Sequence, residues 1–285
     1  MTALVKHGAT LAVYGFGHNL EKIRYPWRES LASALELADA VYFADCDSDD
    51  GTSEAVRLME KDDPDLQVIT HPWGTHHTIQ AHIANALLEE IGERYDYALK
   101  LDMDEVGCEW TFEKFRAQLD KMKDWKVKLG RPHYTHFSPD FFTTFPFIYD
   151  SKAVISRTDA HFRYRTDTGG DACALSGADE YQTKLELFHY GKVAQGRERE
   201  ALYKEREFTK LYYELGFPDP KVEAQVEQGW LDYNKVFDVA KSRGDMKPFT
   251  GKHPVFVQAW IDTMVERSKQ FWKEQYEQAQ GVSGS

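Results

Sequence analysis

The first hundred residues switch repeatedly between two periods, and that alternation limits the fold more than any other feature of the chain. Short apolar runs at Ala9 to Phe16, Ala40 to Ala44, Leu66 to Thr70 and Tyr97 to Leu101 read as strands. Between them, Arg28 to Ala38 sets Leu31, Leu35 and Ala38 at helical spacing. Ser53 to Lys61 reads as a helix capped by Thr52 or Ser53, and His76 to Arg94 places Ile79, Ile83, Leu87 and Ile91 on one face. Strand and helix in turn predict an α/β fold, with a mainly parallel sheet flanked by helices. Such sheets bind ligands beyond the carboxyl ends of their strands. That rule selects Gly15 to Asn19, Asp45 to Thr52 and Asp102 to Glu105, all rich in polar or acidic residues.

Past a helix near Thr111 to Met122 the pattern becomes irregular. Aromatic and β-branched segments at Lys126 to Phe137, Phe145 to Ile155 and Leu185 to Tyr190 predict a smaller mixed sheet. From Arg197 the signal is helical again, over Glu198 to Leu215, Val222 to Ala240 and Val255 to Gln278, with Pro218, Pro220, Pro248 and Pro254 between. The expected organisation is one main domain over 1–196, divided into halves 1–106 and 107–196. A helical C-terminal appendage follows over 197–280.

Composition narrows the class. A chain of 285 residues with 42% hydrophobic residues buries a full core, so long disordered stretches are not expected. No run is long enough to span a bilayer and no signal-peptide core opens the chain, which predicts a soluble, cytoplasmic protein without a membrane span. Cys46, Cys108 and Cys173 form neither a disulfide framework nor a zinc pattern. The net charge of -12 has the wrong sign for a general polyanion binder, although Arg157, Arg163 and Arg165 sit in a nearly neutral stretch.

Leu99 to Val106 (LKLDMDEV) carries the strongest chemical signal. Alternation along a strand lets Asp102 and Asp104 project together from its end. Paired carboxylates suit Mg2+ or Mn2+, which bind through one or two carboxylates plus substrate phosphates. Asp45 to Glu54 (DCDSDDGTSE) superficially looks like a calcium loop, but Asp50 stands where that loop needs glycine and Val56 where it needs a bidentate Glu. The pairs His76 with His77 and His133 with His136 lack a carboxylate or cysteine at zinc spacing. Trp73 lies near a predicted site edge, whereas Trp110, Trp230, Trp260 and Trp272 read as packing residues.

Taken together, Asp45, Ser48, Asp50, Gly51 and Thr52 resemble the D-D-G-S-T-D-G-T loop of family-two-like glycosyltransferases of the GT-A fold. Cys46, Asp47 and Asp49 depart from that loop. GFGHNLEKI, around Asn19 and Glu21, is similar to the first-strand donor loop of the family, with His18 where Arg is commoner. LDMDE is similar to its L-D-A-D-E metal motif. ELFHYGKV resembles its H-Y-G segment, and Gly251 to Pro254 its C-terminal G-x-H-P. The resemblance covers most of the chain to about residue 260. It implies a GT-A-like nucleotide-diphospho-sugar transferase fold and a nucleotide-sugar donor, most simply a UDP-sugar. The implied cofactor is Mn2+ or Mg2+ held by Asp102, Asp104 and His189. It also implies a donor-binding set of Gly15, Asn19, Glu21, Asp45, Asp47, Ser48, Lys100, Asp102 and Arg163.

Transfer with inversion needs a carboxylate to take the proton of the acceptor hydroxyl. Asp171 follows two glycines and aligns with a family Asp ahead of the H-Y-G strand, with Asp179 and Glu180 in reserve. The expected acceptor is a glycan or similar soluble molecule. The alternatives are a hydroxymethylated pyrimidine in DNA, for which the three arginines speak and the net charge does not, and a sugar-nucleotide binder without turnover. A nucleotidyltransferase would need a basic glycine-rich triphosphate loop, and none is evident.

Overall fold

The computed structural model describes residues 8–73, 79–137, 140–145, 152–165, 180–191, 193 and 246–267. The helices expected over Glu198 to Leu215 and Val222 to Ala240, and with them most of the C-terminal appendage, lie outside the described residues.

The four N-terminal strands form where the apolar runs predict them: β1 (Leu11–Gly17), β2 (Ala40–Asp45), β3 (Leu66–Thr70) and β4 (Tyr97–Lys100). All six residues of β2 are buried, as are six of the seven in β1. Strands covered on both faces read as continuous apolar runs, which is why they are visible in the sequence. Between them run a short α1 (Leu20–Ile23), α2 (Trp27–Leu37), α3 (Thr52–Asp62) and α4 (Ile79–Ile91).

The second half supplies β5 (Glu105–Gly107), α5 (Glu109–Asp124), β6 (Leu129–His136), β7 (Thr143–Thr144), β8 (Ile155–Arg157) and β9 (Glu180–His189). A two-residue β10 (Lys247–Pro248) pairs with β7, and residues 258–267 are helical. The main sheet has the order β3-β2-β1-β4-β8-β6-β9-β5. Strands β3, β2, β1 and β4 are parallel, β8 is antiparallel to β4 and β6, β6 and β9 are parallel, and β5 is antiparallel to β9. The chain leaves β1 toward β2 and β3, then returns to place β4 on the other side of β1. The order therefore reverses between β1 and β4, where open α/β sheets bind their ligands.

Two apolar layers sandwich the sheet. Leu11, Val13, Val41, Phe43 and Leu99 pack on one side against Trp27 and Leu31 of α2 and Phe112, Phe115 and Leu119 of α5. Ala12, Tyr14, Tyr42 and Ala44 meet Ile83, Ala84, Leu87 and Ile91 of α4 on the other. A third cluster joins Phe137, Phe141, Phe188 and Tyr190 to Val257 and Ile261, so the segment over 246–267 packs directly on the end of the sheet.

The cap of α3 differs from expectation. Gly51 is the N-cap, at a φ of 97 that favours glycine, and Asp50 Oδ1 accepts from the Thr52 amide at 3.0 Å. The Thr52 hydroxyl itself donates to Asp50 at 2.6 Å, so it is held by the cap instead of forming it.

At the opposite end of the sheet from the strand tips, Asp39 Oδ2 accepts from the Leu11 amide at 2.7 Å and from Arg116 of α5 at 3.0 Å. Arg116 is almost fully buried, so this pair sets how α5 lies on β1. Removing one partner of a buried pair strands the other charge. Arg116→Leu should lower unfolding stability by about 3 kcal/mol in urea denaturation. Arg57→Ala, at a pair on the surface, should cost less than about 1 kcal/mol. Equal effects would remove Arg116 from the core of the fold.

Candidate active site

Strand β4 ends at Lys100, and the Leu101 amide still donates to the Tyr14 carbonyl at 2.9 Å. The chain then turns, with the Glu105 amide on the Asp102 carbonyl at 2.9 Å, and enters β5. Asp102 and Asp104 thus sit on a turn between two strands. Strand alternation, which predicted that they project together, does not apply there. Gly15 of β1 makes the turn possible: a Cβ there would lie 2.5 Å from the Leu101 carbonyl oxygen and strike the Met103 methyl.

The two aspartates face different partners. Asp102 Oδ1 pairs with Lys100 Nζ at 2.8 Å, and Oδ2 with Lys152 Nζ at 2.7 Å. Burial raises the Asp102 carboxyl, but the two ammonium groups outweigh it and hold the group well below the ordinary carboxylate range. Lys152 also reaches Glu105 Oε1 at 3.1 Å. Glu105 is fully buried, and burial pushes its carboxyl up to about 7 in spite of Lys152. Asp104 Oδ2 lies 3.4 Å from His189 Nε2. Burial raises Asp104 too, while His189 pulls it to a net value below normal.

Pairing of β5 with β9 sets Glu105 opposite His189, and the Tyr190 amide donates to the Asp104 carbonyl at 2.8 Å. Gly191 follows. A Cβ there would lie 2.8 Å from Asp104 Cγ and 2.9 Å from His189 Nε2, so the chain packs against both side chains and only glycine fits. Among the described residues no three His, Cys, Asp or Glu side chains converge as a metal cage. Asp104 and His189 nevertheless offer an oxygen and an imidazole nitrogen side by side. That fits Mg2+ or Mn2+, which take few protein ligands and fill the rest with phosphate and water.

The other two strand ends lie beside this turn. Asp45, at the tip of β2, is buried, and its Oδ1 has no hydrogen-bond partner among the described residues. Such an oxygen is costly to bury unless a ligand donates to it. Asn19, in the left-handed region at a φ of 53, knits β1 to the next loop: its amide donates to Ser48 Oγ at 3.0 Å and its Oδ1 accepts from Asp49 at 2.9 Å. Asp50 accepts from the Lys22 amide at 2.7 Å, and Glu21 pairs with Arg28. Asp47 Oδ2 accepts from the Trp73 amide at 3.1 Å, and the Trp73 indole stacks on His18, ring centroids 5.2 Å apart. Asn19, Glu21, Asp47 and Ser48 therefore all hold the loops in place, whichever of them also meets a donor. Arg163 donates to the Phe162 carbonyl at 2.7 Å.

Asp171 and Asp179 lie outside the described residues. Glu180 opens β9 and pairs with Arg131. His189 closes the same ten-residue strand, so at strand rise the two lie roughly 30 Å apart. Glu180 thus stands away from the aspartates, a correction to its place in reserve as a base.

Three further residues join the site through contacts made by the fold, and two of them carry no sequence signal of their own. Lys152 arrives from a distant segment. His136 of β6 lies against His189, with Nδ1 atoms 3.1 Å apart. His253 links the H-Y-G segment to the rest of the fold, with the Tyr190 hydroxyl 2.9 Å from Nδ1 and the Phe141 carbonyl 2.9 Å from Nε2. Only the G-x-H-P resemblance points to His253.

No protein-family model and no curated protein matches the chain. Solved structures are similar to it in outline. S. aureus TarS is 14% identical, covering 56% of this chain and 52% of that one, with a TM-score of 0.40. The mannosyltransferase PcManGT from Pyrobaculum calidifontis, in complex with GDP-Man and Mn2+, is 16% identical, covering 64% and 57%, with a TM-score of 0.46. The 4-diphosphocytidyl-2C-methyl-D-erythritol synthase from Anaerococcus prevotii is 8% identical, covering 70% and 97%, with a TM-score of 0.41. The chain spans about half the length of the TarS structure. Its sheet is parallel at one end and mixed at the other, with helices on both faces, and architecture alone does not choose a reaction.

The raised Glu105 carboxyl has a measurable consequence. In the unfolded chain it ionises near its ordinary 4.5, in the folded chain at about 7. Between these values the folded state keeps a proton that the unfolded state has released, so this group's contribution to stability falls as pH rises. Compared with wild type by urea unfolding, Glu105→Gln should gain relative stability between about pH 5 and about pH 8. A difference independent of pH would refute the raised value.

Proposed function

We propose that the chain is a metal-dependent glycosyltransferase that moves a sugar from a nucleotide-diphosphate donor to an acceptor hydroxyl. The observation that carries this reading is the Asp104–His189 pair, which leaves room only for glycine at Gly191 and is set beside the reversal point of an α/β sheet. The buried Asp45 oxygen at the tip of β2, without a hydrogen-bond partner among the described residues, supports it, since it matches an N–H of a nucleobase or a ribose hydroxyl.

In this reading Asp104 and His189 hold Mn2+ or Mg2+, which when bound stabilises negative charge on the departing diphosphate. Asp102, fixed by Lys100 and Lys152, faces the donor beside that pair and keeps the two ammonium groups at the turn. Asp45 orients the nucleoside. Gly15 lets the Leu101–Met103 backbone close over β1, so the carboxylates stand at the sheet edge where the donor lies. Asp171, with Asp179 in reserve, takes the proton of the acceptor hydroxyl, and attack from the face opposite the diphosphate inverts the anomeric centre.

For the acceptor we favour a glycan or similar soluble molecule. Arg157 is engaged by Asp159, which weakens the case for a basic patch facing DNA phosphates. No helix among the described residues is long and apolar enough to cross a membrane.

UDP- and GDP-sugars should be screened by thermal shift with and without Mn2+, and the donor found then followed for transfer. One donor should raise the unfolding temperature in a Mn2+-dependent way. Asp104→Ala should lower turnover at least about 100-fold, the loss expected when several kcal/mol of leaving-group stabilisation go. Full turnover in excess chelator would end the metal-dependent mechanism. Donor binding with neither transfer nor hydrolysis would make the chain a sugar-nucleotide binder instead.

A further inference from the structure

Among the contacts that seat the segment over 246–267 on the sheet, one is polar at both ends of a single ring. His253 Nδ1 lies 2.9 Å from the Tyr190 hydroxyl, and Nε2 lies 2.9 Å from the Phe141 carbonyl oxygen. The half-buried ring sits among Phe137, Phe188, Phe249 and Tyr190, with centroids 4.9, 6.1, 5.1 and 5.8 Å away.

These partners leave one arrangement of protons. A carbonyl oxygen only accepts, so Nε2 carries the hydrogen and donates to Phe141. A neutral imidazole has one N–H, so Nδ1 is the acceptor and the Tyr190 hydroxyl its donor. Tyr190 is almost wholly buried and stacks on Phe137, ring planes within 7°, which fixes its hydroxyl against the imidazole. Its amide donates to the Asp104 carbonyl at 2.8 Å. A chain of contacts thus runs from the 246–267 segment through His253 and Tyr190 to the turn between β4 and β5.

A second proton on His253 breaks that chain. Nδ1 then presents an N–H to a hydroxyl whose own hydrogen points back at it, and a positive charge stands among aromatic rings. Burial accordingly holds this imidazole below the ordinary histidine value of 6.5, although the Phe141 carbonyl favours the charged form. The acids on the surrounding elements already have partners. Glu109 of α5 is met by Lys252 at 3.7 Å and by the Val255 amide at 3.3 Å. Glu186 of β9 accepts from Trp110 Nε1 at 3.1 Å, and Asp140 from the Phe142 amide at 2.8 Å. Lys247 of β10 is exposed, and burial pushes the Cys108 thiol and the Tyr190 hydroxyl up, so both stay neutral.

We propose that His253 is a positioning residue: as the neutral Nε2–H tautomer it clasps the 246–267 segment to Tyr190 and Phe141, and a second proton releases the clasp. The turn that carries Asp104 is then braced in neutral solution and loosened in acid, whichever reaction the site performs. The released ring titrates near its ordinary 6.5 and the clasped ring lower. The released state therefore takes up the proton first, and the clasp weakens as pH falls below about 6.5, by at most about tenfold per pH unit.

Hydrogen exchange of the full chain, read by mass spectrometry and corrected for the intrinsic effect of pH, tests this at the amides over 246–258 with β2 as reference. From about pH 7.5 to about pH 5, wild-type protection there should fall at least about threefold more than that of β2. His253→Asn keeps an acceptor near the place of Nδ1 but does not titrate, and should abolish that extra fall. Tyr190→Phe removes only the hydroxyl and should lower protection at about pH 7.5 by about threefold or more. No extra fall in the wild type, the same fall in His253→Asn, or unchanged protection in Tyr190→Phe would each overturn the clasp. Should His253→Asn fail to fold, nitrogen NMR of labelled histidine in the wild type decides. A proton on Nε2 with titration below 6.5 upholds the clasp, and a proton on Nδ1, or titration at or above 6.5, refutes it.

Discussion

Carboxylates do not enter a protein interior without counter-charge, and this molecule carries three of them within four residues. Asp102, Asp104 and Glu105 share one turn, and Glu105 is wholly buried. Lys100 comes from the strand just before, but Lys152 and His189 come from far along the chain. The antiparallel β8 and the β9–β5 pairing at the sheet edge bring those distant residues to the turn. Much of the second half of the fold can be read as the means of compensating that charge while one face of it stays open.

The acidic loop after β2 solves a different problem. Its carboxylates bind mainly backbone amides of neighbouring segments: Asp50 those of Lys22 and Thr52, Asp47 that of Trp73. Asn19 completes the lattice from β1. Loops so tied are held by their own side chains, and Asp45 stands among them with an oxygen that has no hydrogen-bond partner among the described residues. Preorganisation of this kind favours binding because little freedom remains to be lost.

Legibility in the sequence followed the range of the interactions. The four parallel strands and their helices were visible because each buries its own apolar run or stripe, a local pattern. The mixed half was legible only as a region, since the pairing of β6 with β9 joins segments about fifty residues apart and leaves no period. Within the site, Asp102 and Asp104 were found by spacing, although the alternation invoked for them fails on a turn. His189 was singled out by resemblance. His136 was discounted because spacing tests see only neighbours in the chain, and Lys152 had no signal because any lysine looks like surface. Glu180 was misjudged because the direction and length of β9 are properties of the sheet.

The contacts of His253 have a bearing on how the protein is made. Tyr190, next to His189, is held by a histidine of a segment that leaves the ribosome long after β1 to β4 are complete. Val257 and Phe256 of that segment pack on the same body, Phe256 against Phe112 of α5. The parallel half has the local pairings to form early, whereas Tyr190, the neighbour of His189, waits for the segment over 246–267 to dock. A nascent chain therefore has the pairings of its parallel half at hand before Tyr190, beside the Asp104–His189 pair, is braced by the segment over 246–267.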